Sequence, residues 1–163
     1  MKIATVTEIK KELTTLSNEE LIELNLTFIK YKKENKELVN YLLFEADHEQ
    51  DYIEAVKSEA TESWNTMNTS SLYYAKKTIR KTLRFIKKQI KFSGIKTTEI
   101  ELLIFFCRQM KGLNIPVHTS KAMMNLYERQ LQIINKSLNS IHEDLRIDYE
   151  SEWNEIKTFH EKN

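Results

Sequence analysis

Residues 72–94 read LYYAKKTIRKTLRFIKKQIKFSG, and the way two kinds of residue recur in them decides the fold. Lys76, Lys77, Arg80, Lys81, Arg84, Lys87, Lys88 and Lys91 are basic, with no acidic residue among them. At about 100° per residue all eight project into one arc of roughly 140°. Leu72, Ala75, Ile79, Leu83, Ile86 and Ile90 recur at helical spacing on the other side. The spacing predicts an amphipathic helix over 71–93 that buries one face and presents a dense positive charge on the other. Gly94 ends it, because a glycine after a lysine-rich last turn accepts the left-handed conformation without a side-chain clash.

The same logic extends outward. Only two Gly and one Pro occur in 163 residues, which leaves few places for sharp turns or bulges, and the abundant Leu, Ile, Glu and Lys favour helix. A hydrophobic content of 40% suffices for a core at this length. The expectation is an all-α chain, a single domain over 1–163. Six to eight helices would form an irregular array of antiparallel hairpins, or alternatively an up-down bundle. The net charge of +1 conceals a segregation, since the basic helix holds +8 and the remainder sums to −7. With one cysteine, Cys107, no intrachain disulfide is possible, and a reducing, cytoplasmic setting is expected. Residues 1–16 mix Lys2, Glu8, Lys10, Lys11 and Glu12 with scattered apolar residues and lack the apolar core of a signal peptide. No segment approaches the roughly 20 apolar residues needed to span a bilayer, so no membrane partner is expected.

Thr5 or Thr7 opens a first helix that stops near Thr15, and Ser17-Asn18-Glu19-Glu20 is a capping box for the second. The second helix places Leu21, Leu24, Phe28 and Tyr31 on its buried stripe. Register is lost at 33–35, and a short third helix contains Leu38, Tyr41, Leu42 and Phe44. Asp47 or His48 caps a fourth, with Ile53, Val56, Ala60, Trp64 and Met67 on one side. Asn68-Thr69-Ser70-Ser71 is a polar break. Thr98-Glu99-Ile100-Glu101 reads as a further capping box, and 100–107 is apolar except for Glu101, which predicts a central helix. After the proline loop at 112–119, Thr119 or Ser120 opens a long helix with Met123, Leu126, Tyr127, Ile134, Leu138 and Ile141 inward. A break near 142–144 precedes a final segment that continues this register through Leu145, Tyr149, Trp153 and Ile156.

The run Tyr31-Lys32-Lys33-Glu34-Asn35-Lys36-Glu37-Leu38, leading into Tyr41-Leu42-Leu43-Phe44-Glu45-Ala46-Asp47, resembles a family of small bacterial helical proteins of unknown function. The resemblance covers most of the chain and rests on no motif with assigned chemistry. It implies an all-helical fold and transfers no activity or site.

Catalytic chemistry finds little to build on. Glu45 and His48 form one Glu-x-x-His unit, whereas a di-iron carboxylate site needs two such units and two further glutamates. His142-Glu143 and Glu155 with His160 have other spacings, and Glu54, Glu59 and Glu62 fit a solvated acidic face. Cys107 lies in the most apolar helix, where a thiol is buried and inert. Of the dispersed histidines only His118, beside the proline loop, invites inspection, and two isolated glycines exclude phosphate-binding glycine loops. No catalytic, cofactor-binding or metal-binding residue, and no cofactor, is therefore assigned.

The face formed by Lys76, Lys77, Arg80, Lys81, Arg84, Lys87, Lys88 and Lys91 is the candidate macromolecule-binding surface. Tyr73 lies inside its arc, and Tyr74, Phe85 and Phe92 flank it. Cations neutralise phosphates and exposed aromatics stack on unpaired bases. Two acidic segments offer internal neutralisation instead: 45–62 has seven carboxylates against Lys57, and 143–155 has six against Arg146. Structural or solvated use of the charge is the preferred expectation, with the aromatics as core edges. The functional expectation is a non-enzymatic interaction or adaptor protein with an unknown protein partner. The alternative is a nucleic-acid-associated protein using helix 71–93, and a metal-carboxylate enzyme comes third.

Overall fold

Helix accounts for the architecture of residues 2–159, which a computed structural model describes. Those residues form nine α-helices and no strand, so the fold is all-α. Backbone contacts divide the chain after Phe44 into two compact units.

The first unit contains α1 (Val6–Leu13), α2 (Asn18–Tyr31) and α3 (Lys33–Asn40). The predicted capping box at Ser17 forms, its N–H donating to Glu20 at 2.8 Å, and the structure adds one not anticipated, in which the Thr5 N–H donates to Glu8 at 2.7 Å. Lys32 is extended (φ −144°, ψ 143°) and separates α2 from α3. The Asn35 side chain then donates to the Phe28 carbonyl at 2.8 Å and closes the corner. A π-turn over Tyr41–Glu45 follows α3 directly.

One expectation needs correction in this unit. Leu21 and Leu24 are half-buried, but Phe28 and Tyr31 are 53% and 77% exposed. A stripe is buried only where another element lies on it, and helical spacing alone does not supply that element. Leu42 and Phe44, also expected inside, are exposed, and of this turn only Tyr41 is buried.

The second unit contains α4 (Glu49–Asn65), α5 (Leu72–Ser93), α6 (Lys96–Lys111), a 3₁₀ turn at Val117–Thr119, α7 (Lys121–Leu138), α8 (Glu143–Asp148) and α9 (Glu150–Ile156). Helix α6 packs against α4, α5, α7 and α9. Its largely apolar sequence is the cause: Ile100, Leu102, Leu103, Ile104, Phe106, Cys107 and Met110 are all buried, over more than half of the helix circumference, and Glu101, Phe105 and Arg108 on the remaining side are half-buried. Each large side chain so enclosed contributes roughly 1.5–3 kcal/mol.

The neighbours are tied to this axis by polar contacts at their ends. Glu49 at the start of α4 accepts hydrogen bonds from Ser93 and Thr98, and Tyr52 donates to the Gln89 side chain at 2.8 Å. These pairings make α4 and α5 antiparallel. On the other flank Arg108 pairs with Glu155 at 2.8 Å, and the Tyr127 hydroxyl donates to the Ile156 carbonyl at 2.6 Å.

Gly94 adopts φ 69° and ends α5 as its sequence requires. Helix α6 then starts at Lys96 after Ile95, with no side-chain cap, so Thr98-Glu99-Ile100-Glu101 is not the predicted capping box. The short Gly94-Ile95 turn lets α6 begin before Thr98, whose hydroxyl is engaged by Glu49 instead. Ser120 and His48 precede α7 and α4 without capping through their side chains. The chain breaks after α7 where expected, and His142 caps α8 by accepting from the Asp144 N–H at 3.3 Å. Leu145 departs from the inward register and is exposed, because the new helix rotates its face. Tyr149 alone separates α8 from α9.

Candidate macromolecule-binding face

The position of the basic face follows from what α5 buries. Ala75, Ile79, Leu83 and Ile86 are buried and Leu72 and Ile90 half-buried, where α5 packs on α4 and α6. All eight predicted basic residues lie on the same helix, away from this stripe, but they are not equivalent. Lys77, Arg80, Lys81, Arg84 and Lys91 are exposed and Lys76 is half-buried. Among the described residues these six make no ion pair within 4 Å. Lys87 is exposed as well, but partial desolvation beside α6 depresses its pKa, with Glu99 opposing that shift and Arg129 adding to it. Lys88 is half-buried, with its ammonium 6.0 Å from the Phe92 ring centre.

The acidic segments meet other cations. Glu54 lies 2.8 Å from Lys57, and Glu101 on α6 lies 2.6 Å from the same ammonium. Burial opposes the charge on Lys57, but its hydrogen bonds to Glu101 and Glu54 outweigh that and hold its pKa above the ordinary value. Glu152 and Glu155 pair with Arg108, and Glu143 with Arg146. Although α4 packs beside α5, the two helices meet through their apolar faces, which turns the basic arc away from the carboxylates. Among the described residues the internal pairing that the charge pattern allows is thus absent for those six cations.

An open depression of about 230 Å³ lies on this face, lined by Tyr73, Lys76, Lys77, Arg80 and Arg84. The positions are one, two and three turns apart on a helix, so the side chains share one row. Tyr73 is 75% exposed and Tyr74 49% exposed, and their rings meet edge to face with centres 5.4 Å apart. Phe85 and Phe92 are half-buried core edges, as expected. The spacing of Tyr73 to Lys76, Lys77, Arg80 and Arg84 was the sequence signal that joins this aromatic to the cations rather than to the core.

The remaining candidates do not converge. Glu45 closes the π-turn and His48 precedes α4. Among the described residues no group of three or more His, Cys, Asp and Glu could hold a metal. Glu59 and Glu62 are exposed. Cys107 is completely buried, and burial pushes its thiol up to about 12, so it is not a thiolate at neutral pH. His118 is half-buried in the 3₁₀ turn, His142 is a helix cap, and His160 lies outside the described residues. A second open groove, of about 410 Å³, is lined by Asn135, Asn139, Glu143, Arg146, Glu150 and Trp153 among others. It mixes both charge signs.

Comparison of the chain with protein-family models, with curated proteins and with solved structures finds no match. Among the described residues no helix is long and apolar enough to cross a membrane.

Proposed function

We propose that this is a non-enzymatic, nucleic-acid-associated protein that holds a phosphate backbone against the exposed face of α5. The observation that carries this reading is the absence of any ion pair at Lys76, Lys77, Arg80, Lys81, Arg84 and Lys91 among the described residues. Like charges crowded on one helix face repel one another, and a polyanion relieves that repulsion while releasing its own condensed counterions. Such a protein acts as a binding module in the cytoplasm. The sequence likeness to small helical bacterial proteins adds no activity to it.

The test is a fluorescence-anisotropy titration with a mixed-sequence oligonucleotide across a salt series. If Lys76, Lys77, Arg80, Lys81 and Arg84 each meet a phosphate, the log–log slope is roughly −3 to −4 on single strands and about −4.5 on duplex. Replacing Lys77, Arg80, Lys81 and Arg84 together by Gln flattens the single-strand slope by about 3. Absence of salt-sensitive binding by the unmodified protein overturns the reading. So does binding to an acidic protein or to anionic vesicles without binding to oligonucleotide, which would return the face to an adaptor role.

A further inference from the structure

Resting on that reading, we infer that the face selects single-stranded nucleic acid, with Tyr73 as a platform on which one unpaired base stacks while Lys76, Lys77, Arg80 and Arg84 hold the phosphates that follow. The juxtaposition within one depression is the basis. An aromatic ring that is 75% exposed gains nothing from the core, yet this one opens the row of unpaired cations instead of lying among apolar residues. Tyr74 meets it edge to face at 5.4 Å, which restrains its rotation and leaves less disorder to be lost when a base arrives.

The geometry discriminates between strand types. From Tyr73 the cations recur once per turn, at intervals of about 5.4 Å along the axis. Duplex DNA keeps its base faces occupied by neighbouring pairs, so Tyr73 would meet only backbone, whereas an unpaired strand offers it a base face. Base-to-aromatic stacking tolerates any base, because every base has a π face. Sequence preference should accordingly be weak.

Full-length protein is titrated against a labelled single strand, the same strand carrying abasic sites, and the matching duplex. Unmodified protein binds the intact single strand more tightly than either of the others. Tyr73→Ala loses roughly 5- to 100-fold of affinity for the intact strand, Tyr73→Phe loses little, and neither substitution changes the salt slope. The abasic strand is bound equally by the unmodified protein and by Tyr73→Ala. Circular dichroism of both variants confirms folding, and the abasic comparison needs no substitution at all. Equal binding of intact and abasic strands, preference for duplex, or unchanged binding by Tyr73→Ala overturns the stacking inference and leaves the phosphate-binding reading intact. If no strand binds, or if Lys77, Arg80 and Arg84 can be replaced by Gln without loss, both fall together.

Discussion

Replacing Lys77, Arg80, Lys81 and Arg84 together by Gln should make the protein more stable, not less. The four side chains are exposed and form no ion pair among the described residues. They face one another at helical spacings: Lys77 with Lys81 and Arg80 with Arg84 at four residues, Lys77 with Arg80 and Lys81 with Arg84 at three. Each like-charge pair destabilises a helix by roughly 0.2–0.5 kcal/mol, so their removal releases about 1–2 kcal/mol at low salt. Glutamine has nearly the helix propensity of lysine and arginine, so little is lost in exchange. For a chain of this length that gain raises the melting temperature by about 2–4 °C per kcal/mol. Melts of both proteins at low salt and near 1 M salt, where the screening length falls to about 3 Å, should therefore differ in the first condition and converge in the second. If the face were instead neutralised by carboxylates, each pair lost would cost roughly 0.2–1 kcal/mol. A variant that melts several degrees lower at low salt would refute the description of these four cations as unpaired among the described residues.

Three further outcomes follow from the core and its edges. Phe106→Ala should cost about 3–5 kcal/mol, read as a shift in denaturation midpoint, because Phe106 is fully buried against Trp64 at the centre of four helices; a loss below 1 kcal/mol would contradict that packing. Cys107 should resist a thiol reagent at about pH 8 in the folded protein and react on unfolding, and rapid labelling of the native state would be incompatible with its burial. At Glu99, burial favours the neutral acid, but hydrogen bonds from Lys96 and Ser137 outweigh it and hold the pKa below the ordinary 4.5. Its contribution is therefore present above that value and disappears as pH falls through the lower folded one. Glu99→Gln should show a shallower acid loss of melting temperature, and an unchanged acid limb would refute the assignment.

Elements with a complete local signal were legible from sequence. Helix α5 had both its periodicity and its glycine stop, α2 had a reciprocal cap, and α6 had an apolar surface that only a central position satisfies. What escaped depended on neighbours. Thr98 followed by Glu101 has the pattern of a cap, and only the position of Glu49 on α4 makes the threonine an interior tie between helices. Phe28 and Tyr31 fit a helical stripe, but periodicity does not tell whether a partner lies on it. All eight basic residues of the candidate face could be named in advance. Whether they met acids turned on the rotation of α4 about its axis, and hence on which cation, Lys57 or those of α5, its carboxylates could reach.

The packing of α9 on α6 also sets a timing problem for the ribosome. About forty residues separate the end of α6 from the start of α9, and synthesis proceeds at roughly 5–20 residues per second. For a delay of about 2–8 s the nascent chain thus has the most apolar helix of the protein without one of its coverings. Helices α4 and α5 precede α6 and can shield two of its sides at once, but the side reached by Ile156 must wait. During that interval the flank of α6 around Arg108 and Lys111, which α9 holds in the finished protein, is the side most open to capture by a chaperone or to association with another nascent chain. Slowing translation between α7 and α9 should lengthen that exposure, even though no residue of the finished protein is altered.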